Sequence, residues 1–271
     1  MKKASWLIIV GLWVSPLWPG PAAPCADGSL HSYVVLGGTG CDIGALTVKD
    51  FQFLVQDSSV GYAALTDTLV NVSVYASGSP VGMRFTADPA SSGFHVAGNE
   101  FVHYVLTYAI DPPPIIIRGD EPPEVGGPPP GGGPPPPVPP PPPKIIAGFE
   151  VQLVAQSPVP PGLARIITDL CVGHALNPSS SFCIGPSGQL IVFDDGTAAS
   201  ELVGSALIVP PIHLLGVRHQ IELTAGGASA DFNALVTETQ TIPEPASWLL
   251  LGCGLLPLLI RTAAPRWGPL S

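Results

Sequence analysis

No tryptophan lies between Pro19 and Ser247, and the whole 271-residue chain carries only ten lysines and arginines. The first absence removes the indole platforms on which exported sandwich domains stack sugar rings. The second matters for partners. Between Asp27 and Ile242 there are 19 acidic residues against six basic ones, Lys49, Arg84, Arg118, Lys144, Arg165 and Arg218. An acidic surface of that size repels phosphate backbones and excludes nucleic acid as a partner. Metal-site spacings are missing as well. No CxxC pair occurs, and the six histidines, His31, His95, His103, His174, His213 and His219, form no i, i+2 or i, i+4 couple, so nothing marks a zinc site and no metal or other cofactor is expected.

Catalytic patterns are equally thin. "LGGTGC" (Leu36 to Cys41) has the glycines of a phosphate loop but no lysine at the required spacing and no helix pattern after it. Ser187 in "GPSGQ" has its glycines misplaced for a nucleophile elbow. No nucleophile and base, and no paired acid and base carboxylates, can be assigned from spacing. The expectation is a chain that is not an enzyme, with no catalytic residue to name.

What is present is glycine and proline, together 66 of the 271 positions. Glycine costs a helix about 1 kcal/mol and proline about 3 kcal/mol, so the composition favours strands and turns. Apolar and polar residues alternate in segment after segment. In "EFVHYVLTYAI", Val102, Tyr104, Leu106, Tyr108 and Ile110 share one side, with His103 and Thr107 opposite. That period of two marks a half-buried antiparallel strand. Further strands are expected at 32–36, 46–55, 69–76, 81–86, 145–155, 164–172, 189–194, 202–209, 217–224 and 229–238. In "LTVKDFQFLV" the apolar phase switches from Leu46 and Val48 to Phe51, Phe53 and Val55, which a bulge around Lys49 and Asp50 would reconcile. Roughly eleven short strands separated by turn residues predict an all-β fold, an antiparallel β-sandwich. "FDDGT" (Phe193 to Thr197) reads as hairpin-turn chemistry.

Residues 111–143 interrupt the pattern with a proline- and glycine-rich insert. Proline lacks the amide hydrogen that a ladder needs, so this segment is a loop or linker. It either hinges two small β domains or enlarges one connection within a single sandwich; the second is preferred, because about five strands before it would make a marginal domain alone. Arg118-Gly119-Asp120 inside it spells an adhesion tripeptide, but a three-residue match carries little.

The two ends speak of export. Lys2 and Lys3, an apolar run from Ala4 to Trp18 and the small residues of "PGPAAPCA" have the three parts of a signal peptide, residues 1–26, with cleavage expected near Ala23 to Ala26. In an oxidising compartment Cys171 and Cys183 are the natural disulfide pair, closing a short loop for about 3 kcal/mol. Cys41 can pair with Cys25 if Cys25 stays on the mature chain. The expected ectodomain is residues 27–241. After it come Pro243-Glu244-Pro245, an apolar helix at 246–264, and the basic residues Arg261 and Arg266. Fifteen apolar residues of helix span only about 22 Å, and extension to Ala264 approaches the ~30 Å hydrocarbon core.

This tail, residues 242–271, resembles the PEP-CTERM sorting signal of exopolysaccharide-producing Gram-negative bacteria. The resemblance rests on the Pro243-Glu244-Pro245 triplet, the "WLLLGCGLLPLLI" span, the following Arg261 and the amino-terminal export signal. It implies Sec-dependent export, transient residence in the inner membrane, recognition of the triplet by a membrane exosortase, and delivery to the cell surface or extracellular matrix. Pro257 and the wide spacing of Arg261 and Arg266 depart from the usual pattern. "GCDIG" followed by "FQFLV" is similar to the β-rich ectodomains of uncharacterised members of that group, which implies no activity. The resemblance implies a structural or adhesive protein in an exopolysaccharide-rich envelope. Alternative readings are a polysaccharide-binding module using Tyr33, Tyr62 or Tyr75, a secreted hydrolase, and a permanently anchored single-pass protein.

Overall fold

A computed structural model describes residues 22–75, 80–91, 93–112, 144–155, 158–176 and 183–243. The strands among them are β1 (Gly28–Ser29), β2 (Cys41–Ile43), β3 (Leu46–Ser58), β4 (Val70–Tyr75), β5 (Val81–Ala87), β6 (Phe94–Gly98), β7 (Phe101–Asp111), β8 (Lys144–Ala155), β9 (Leu163–Val172), β10 (Ser187–Asp194), β11 (Val203–Ile212), β12 (Leu215–Thr224) and β13 (Ala228–Pro243). One helix, α1 (Leu30–Leu36), precedes β2. A seven-stranded sheet runs β1-β4-β5-β13-β8-β11, with β6 also on β13, and a six-stranded sheet runs β10-β9-β12-β7-β3-β2. Every strand-to-strand pairing is antiparallel. The expected all-β architecture is therefore present.

The sheets meet through their apolar faces. Tyr104, Leu106, Tyr108 and Ile110 of β7 are at most 2 % exposed. Across the interface Phe85 lies 6.2 Å from Tyr108 and Phe94 lies edge-on to Tyr104 at 6.0 Å, centroid to centroid. Burying such rings removes apolar surface from water at about 25 cal/mol per Å², and this shared layer is what joins the two sheets.

The residues on either side of the proline-rich insert interleave in both sheets. β5 pairs with β13, and β7 pairs with β12. β7 belongs to one sheet and β8 to the other, so the chain changes sheets between Asp111 and Lys144. Residues 113–143, including Arg118, Gly119 and Asp120, lie outside the described residues, as do the signal peptide through residue 21 and the tail from Glu244 onward.

Several local expectations change. Residues 32–36 belong to α1, not a strand: Leu30 and Tyr33 are buried three residues apart, a helical spacing too short to outweigh apparent alternation in the sequence. Ser29 enters the helix in extended geometry and Gly37 leaves it at φ 52°, a conformation suited to glycine. The Tyr33 ring packs 5.2 Å from Phe51, and its hydroxyl donates to Ala26 O. The phase switch in β3 does sit on a bulge, with the pairing to β7 shifting between Lys49 and Gln52 and Asp50 at φ 58°. The Asp194–Ser200 turn does reverse the chain, closed by one antiparallel bridge in which Phe193 N donates to Glu201 O at 2.7 Å, but the strands on either side of it then diverge. β10 and β11 are edge strands of different sheets, and the turn carries the chain between layers, with Gly196 at φ 73° and its N–H donating to Asp194 Oδ1 at 2.9 Å.

The folded unit also exceeds residues 27–241. Asp42 N donates to Ala23 O and Cys25 N to Asp42 O, both at 2.9 Å, while Pro243 stands opposite Lys144 at the last position of β13. A signal boundary at residue 26 would thus fall inside the described fold.

Candidate binding groove on the outer face of the six-stranded sheet

Strand register stacks polar residues from five strands into one row. Gln189 of β10 stands opposite Asp169 of β9, Asp169 opposite Arg218 of β12, Arg218 opposite Thr107 of β7, and Thr107 opposite Gln52 of β3. All five lie on the face away from the core, because successive side chains of a strand alternate sides. Asp169 organises the row. Its Oδ1 accepts from Gln189 Nε2 at 2.9 Å, and its Oδ2 accepts from Gln220 Nε2 at 2.9 Å and from Arg218 Nη1 at 3.4 Å.

This network lines an open groove of about 700 Å³. Gln56 borders it from the bulged strand, and Leu176 and Cys183 from the segment joining β9 to β10. A disulfide from Cys171 to Cys183 holds that segment at the sheet, with Cα atoms 5.5 Å apart. Gly216 lets it approach closely: a Cβ there would stand 2.6 Å from His174 O and 2.7 Å from Leu176 N.

The polar row that crosses into the groove is dry at its middle strands. Thr107 is 3 % exposed and the Arg218 side chain 12 %. Thr107 Oγ1 and Arg218 Nε are buried without a hydrogen-bond partner among the described residues. The flanking row, Ile191, Ile167, Gln220, Val105 and Leu54, is aliphatic apart from Gln220, and Ile191 and Leu54 remain 43 % and 49 % exposed. One row further, Glu222 binds Arg165, and its Oε1 lies 2.8 Å from His103 Nε2.

A second polar cluster lies in the core. His219 is fully buried, with Thr168 Oγ1 2.8 Å from Nδ1 and Tyr108 Oη 3.1 Å from Nε2. Burial lowers its imidazole to about 3 and pushes the Tyr108 phenol up, so this triad is a neutral, satisfied hydrogen-bond network between the sheets.

The other residues singled out in the sequence are dispersed. Cys25 and Cys41 form a second disulfide, with Cα atoms 4.9 Å apart. His31 contacts Asp67 at 2.8 Å on the α1 side. Among the described residues, no three His, Cys, Asp or Glu side chains converge on a metal position. Tyr33, offered above as a stacking surface, is 2 % exposed and has no face to present. Tyr62 and Tyr75 are half-buried, their hydroxyls donated to His95 O and Thr237 O. Pro243 ends β13, whereas Glu244, Pro245, the 246–264 helix, Arg261 and Arg266 lie outside the described residues. Sequence reasoning missed the groove because Gln189, Asp169, Arg218 and Thr107 come from four separated strands; the available signal was that each occupies the polar phase of its own alternation. No protein-family model matches the chain, and no curated protein matches it.

Proposed function

We propose that the chain is an exported envelope protein: carried across the inner membrane by the Sec machinery, held there transiently by its carboxyl-terminal tail, then processed by an exosortase. The released sandwich takes a structural or adhesive place at the cell surface or in an exopolysaccharide-rich extracellular matrix. It is not an enzyme in this reading.

The observation that carries it is the position of Pro243. The last strand of the seven-stranded sheet ends on the first residue of the Pro-Glu-Pro triplet, so the fold hands the chain directly to the sorting signal without a spacer. Pro243 is paired only at the start of β8, and a second proline two residues on rules out continuation of the ladder. An acidic residue flanked by two prolines, following directly on a folded body, suits recognition by a protease at the bilayer surface. Two disulfides support an oxidising destination. The groove's described lining holds one carboxylate, Asp169, already accepting three hydrogen bonds; this favours binding over glycoside hydrolysis, which in most families uses a pair of carboxyl groups.

The test compares the host with a strain lacking its exosortase. The proposal expects surface-released protein in the former and an inner-membrane form retaining residues 246–264 in the latter. Equal release from both strains would overturn it. A chain that keeps Ser271 in both would instead support the permanently anchored reading.

A further inference from the structure

The geometry points to the groove around Asp169 and Arg218 as a binding site for an uncharged, hydroxyl-rich glycan chain. This assignment stands independently of export and tail processing.

Charge comes first. Within the row, the Asp169 carboxylate and the Arg218 guanidinium face each other, so the site is close to electrically neutral on a strongly acidic protein. It therefore offers no excess of positive charge to an anion. A hard cation needs several oxygen ligands, and here the one described lining carboxylate is engaged by Gln189, Gln220 and Arg218. The chemistry presented is that of planar amides and a guanidinium. Each glutamine has a carbonyl acceptor and a second N–H besides the one given to Asp169, a donor and acceptor side by side that match neighbouring sugar hydroxyls.

Shape and apolar surface agree. A groove of about 700 Å³ falls within the ~300–1,000 Å³ of ligand sites, and being open it accepts an internal stretch of a chain as well as an end. Sugar rings carry C–H faces alongside their hydroxyls. The exposed aliphatic residues Ile191 and Leu54 run parallel to the polar row, and Leu176 borders the groove. A polar row edged by aliphatic surface is complementary to that mixture, without any tryptophan.

Stability alone gives little reason for this network. A largely buried ion pair rarely stabilises a fold more than well-packed apolar residues would, and here Arg218 Nε and Thr107 Oγ1 are left without partners among the described residues. What the network does provide is order. Asp169 fixes three neighbouring side chains on rigid strands, so a ligand would not have to immobilise them.

The experiment is affinity electrophoresis of the full chain in detergent through gels containing a neutral β-glucan, galactan or mannan, with alginate as the acidic comparison. At least one neutral polysaccharide should retard the wild type, with little change in added salt. Gln189→Ala and Asp169→Asn should each weaken retardation at least tenfold. Gln152→Ala, on the outer face of the other sheet, should leave it unchanged. If Asp169→Asn lowers the melting temperature, Gln189→Ala, an exposed position, carries the comparison. Failure of all three neutral glycans to retard the wild type, retardation by alginate alone, or equal retardation of Gln189→Ala and wild type would overturn the assignment.

Discussion

The two sheets share a core but treat charge on their outer faces in opposite ways. On the six-stranded sheet, register sets unlike groups against each other: Asp169 faces Arg218, and Glu222 faces Arg165 and His103. On the seven-stranded sheet, Glu150 stands directly opposite Glu238, with the Tyr75 hydroxyl 3.3 Å from Glu238 Oε1. The carboxylates there, with burial as the larger cause, push the Tyr75 phenol well above its ordinary value. Like charges opposite each other on a ladder are destabilising, unlike charges stabilising, by roughly 0.2–1 kcal/mol per pair. One face is thus a neutralised and ordered network; the other sets two half-buried carboxylates against each other, with Arg84 on the same outer phase of β5 as the nearby cation. The neutrality of the first face leaves a surface on which the proposed ligand can rest.

Four substitutions sharpen that contrast. The largest effect belongs to the layer both faces depend on. Phe149 of β8 is 1 % exposed and its ring centroid lies 6.4 Å from that of His219 in the opposite sheet. Phe149→Ala is expected to cost about 3–5 kcal/mol, measured by chemical denaturation. A loss below about 1 kcal/mol would mean that the sheets are not joined there.

Next is acid sensitivity, which should originate in the core and not on either face. His219 titrates at about 3 in the fold against about 6.5 when unfolded. Below the unfolded value the unfolded chain takes up a proton that the native chain refuses, so this residue's contribution is complete above pH 6.5 and is lost as pH falls toward 3. The slope is about 1.4 kcal/mol per pH unit. A His219→Gln variant should lack it, so denaturation curves of the two proteins at pH 7 and pH 5 should converge in acid. Parallel losses in both would place the sensitivity elsewhere.

The smallest effect separates the faces themselves. Glu150→Gln removes a like-charge opposition and should raise stability by a few tenths of a kcal/mol, whereas Asp169→Asn should lower it, since Arg218 would keep its charge without a counter-ion. Both are readable as shifts in denaturation midpoint. Shifts of the same sign would erase the distinction between the faces.

Much of the framework was legible in the sequence because it depends on local alternation. The inward set of β7, the bulge at Lys49 and Asp50, and the proximity of Cys171 to Cys183 all follow from spacing along a few residues. α1 was not, since seven residues around Leu30 and Tyr33 are too few to separate a period of 3.6 from a period of two. β1, β2 and β6 are two to five residues long and exist only through their partners. The outward burial of Val105, Thr107 and Ala109 likewise depends on neighbours in β3 and β12 that no local window contains. The groove is the extreme case. The polar row that crosses into it joins residues 52, 107, 169, 189 and 218, and only the register of five strands brings them into line.

The central claim, that this sandwich is an exported body released from its own tail, is tested most directly by the intact mass of the protein recovered from the surface of its native host. The account predicts a mature chain that begins at or before Cys25, carries both disulfides and has lost the segment from Ala246 onward. A mass requiring an uninterrupted chain through Ser271 would contradict it.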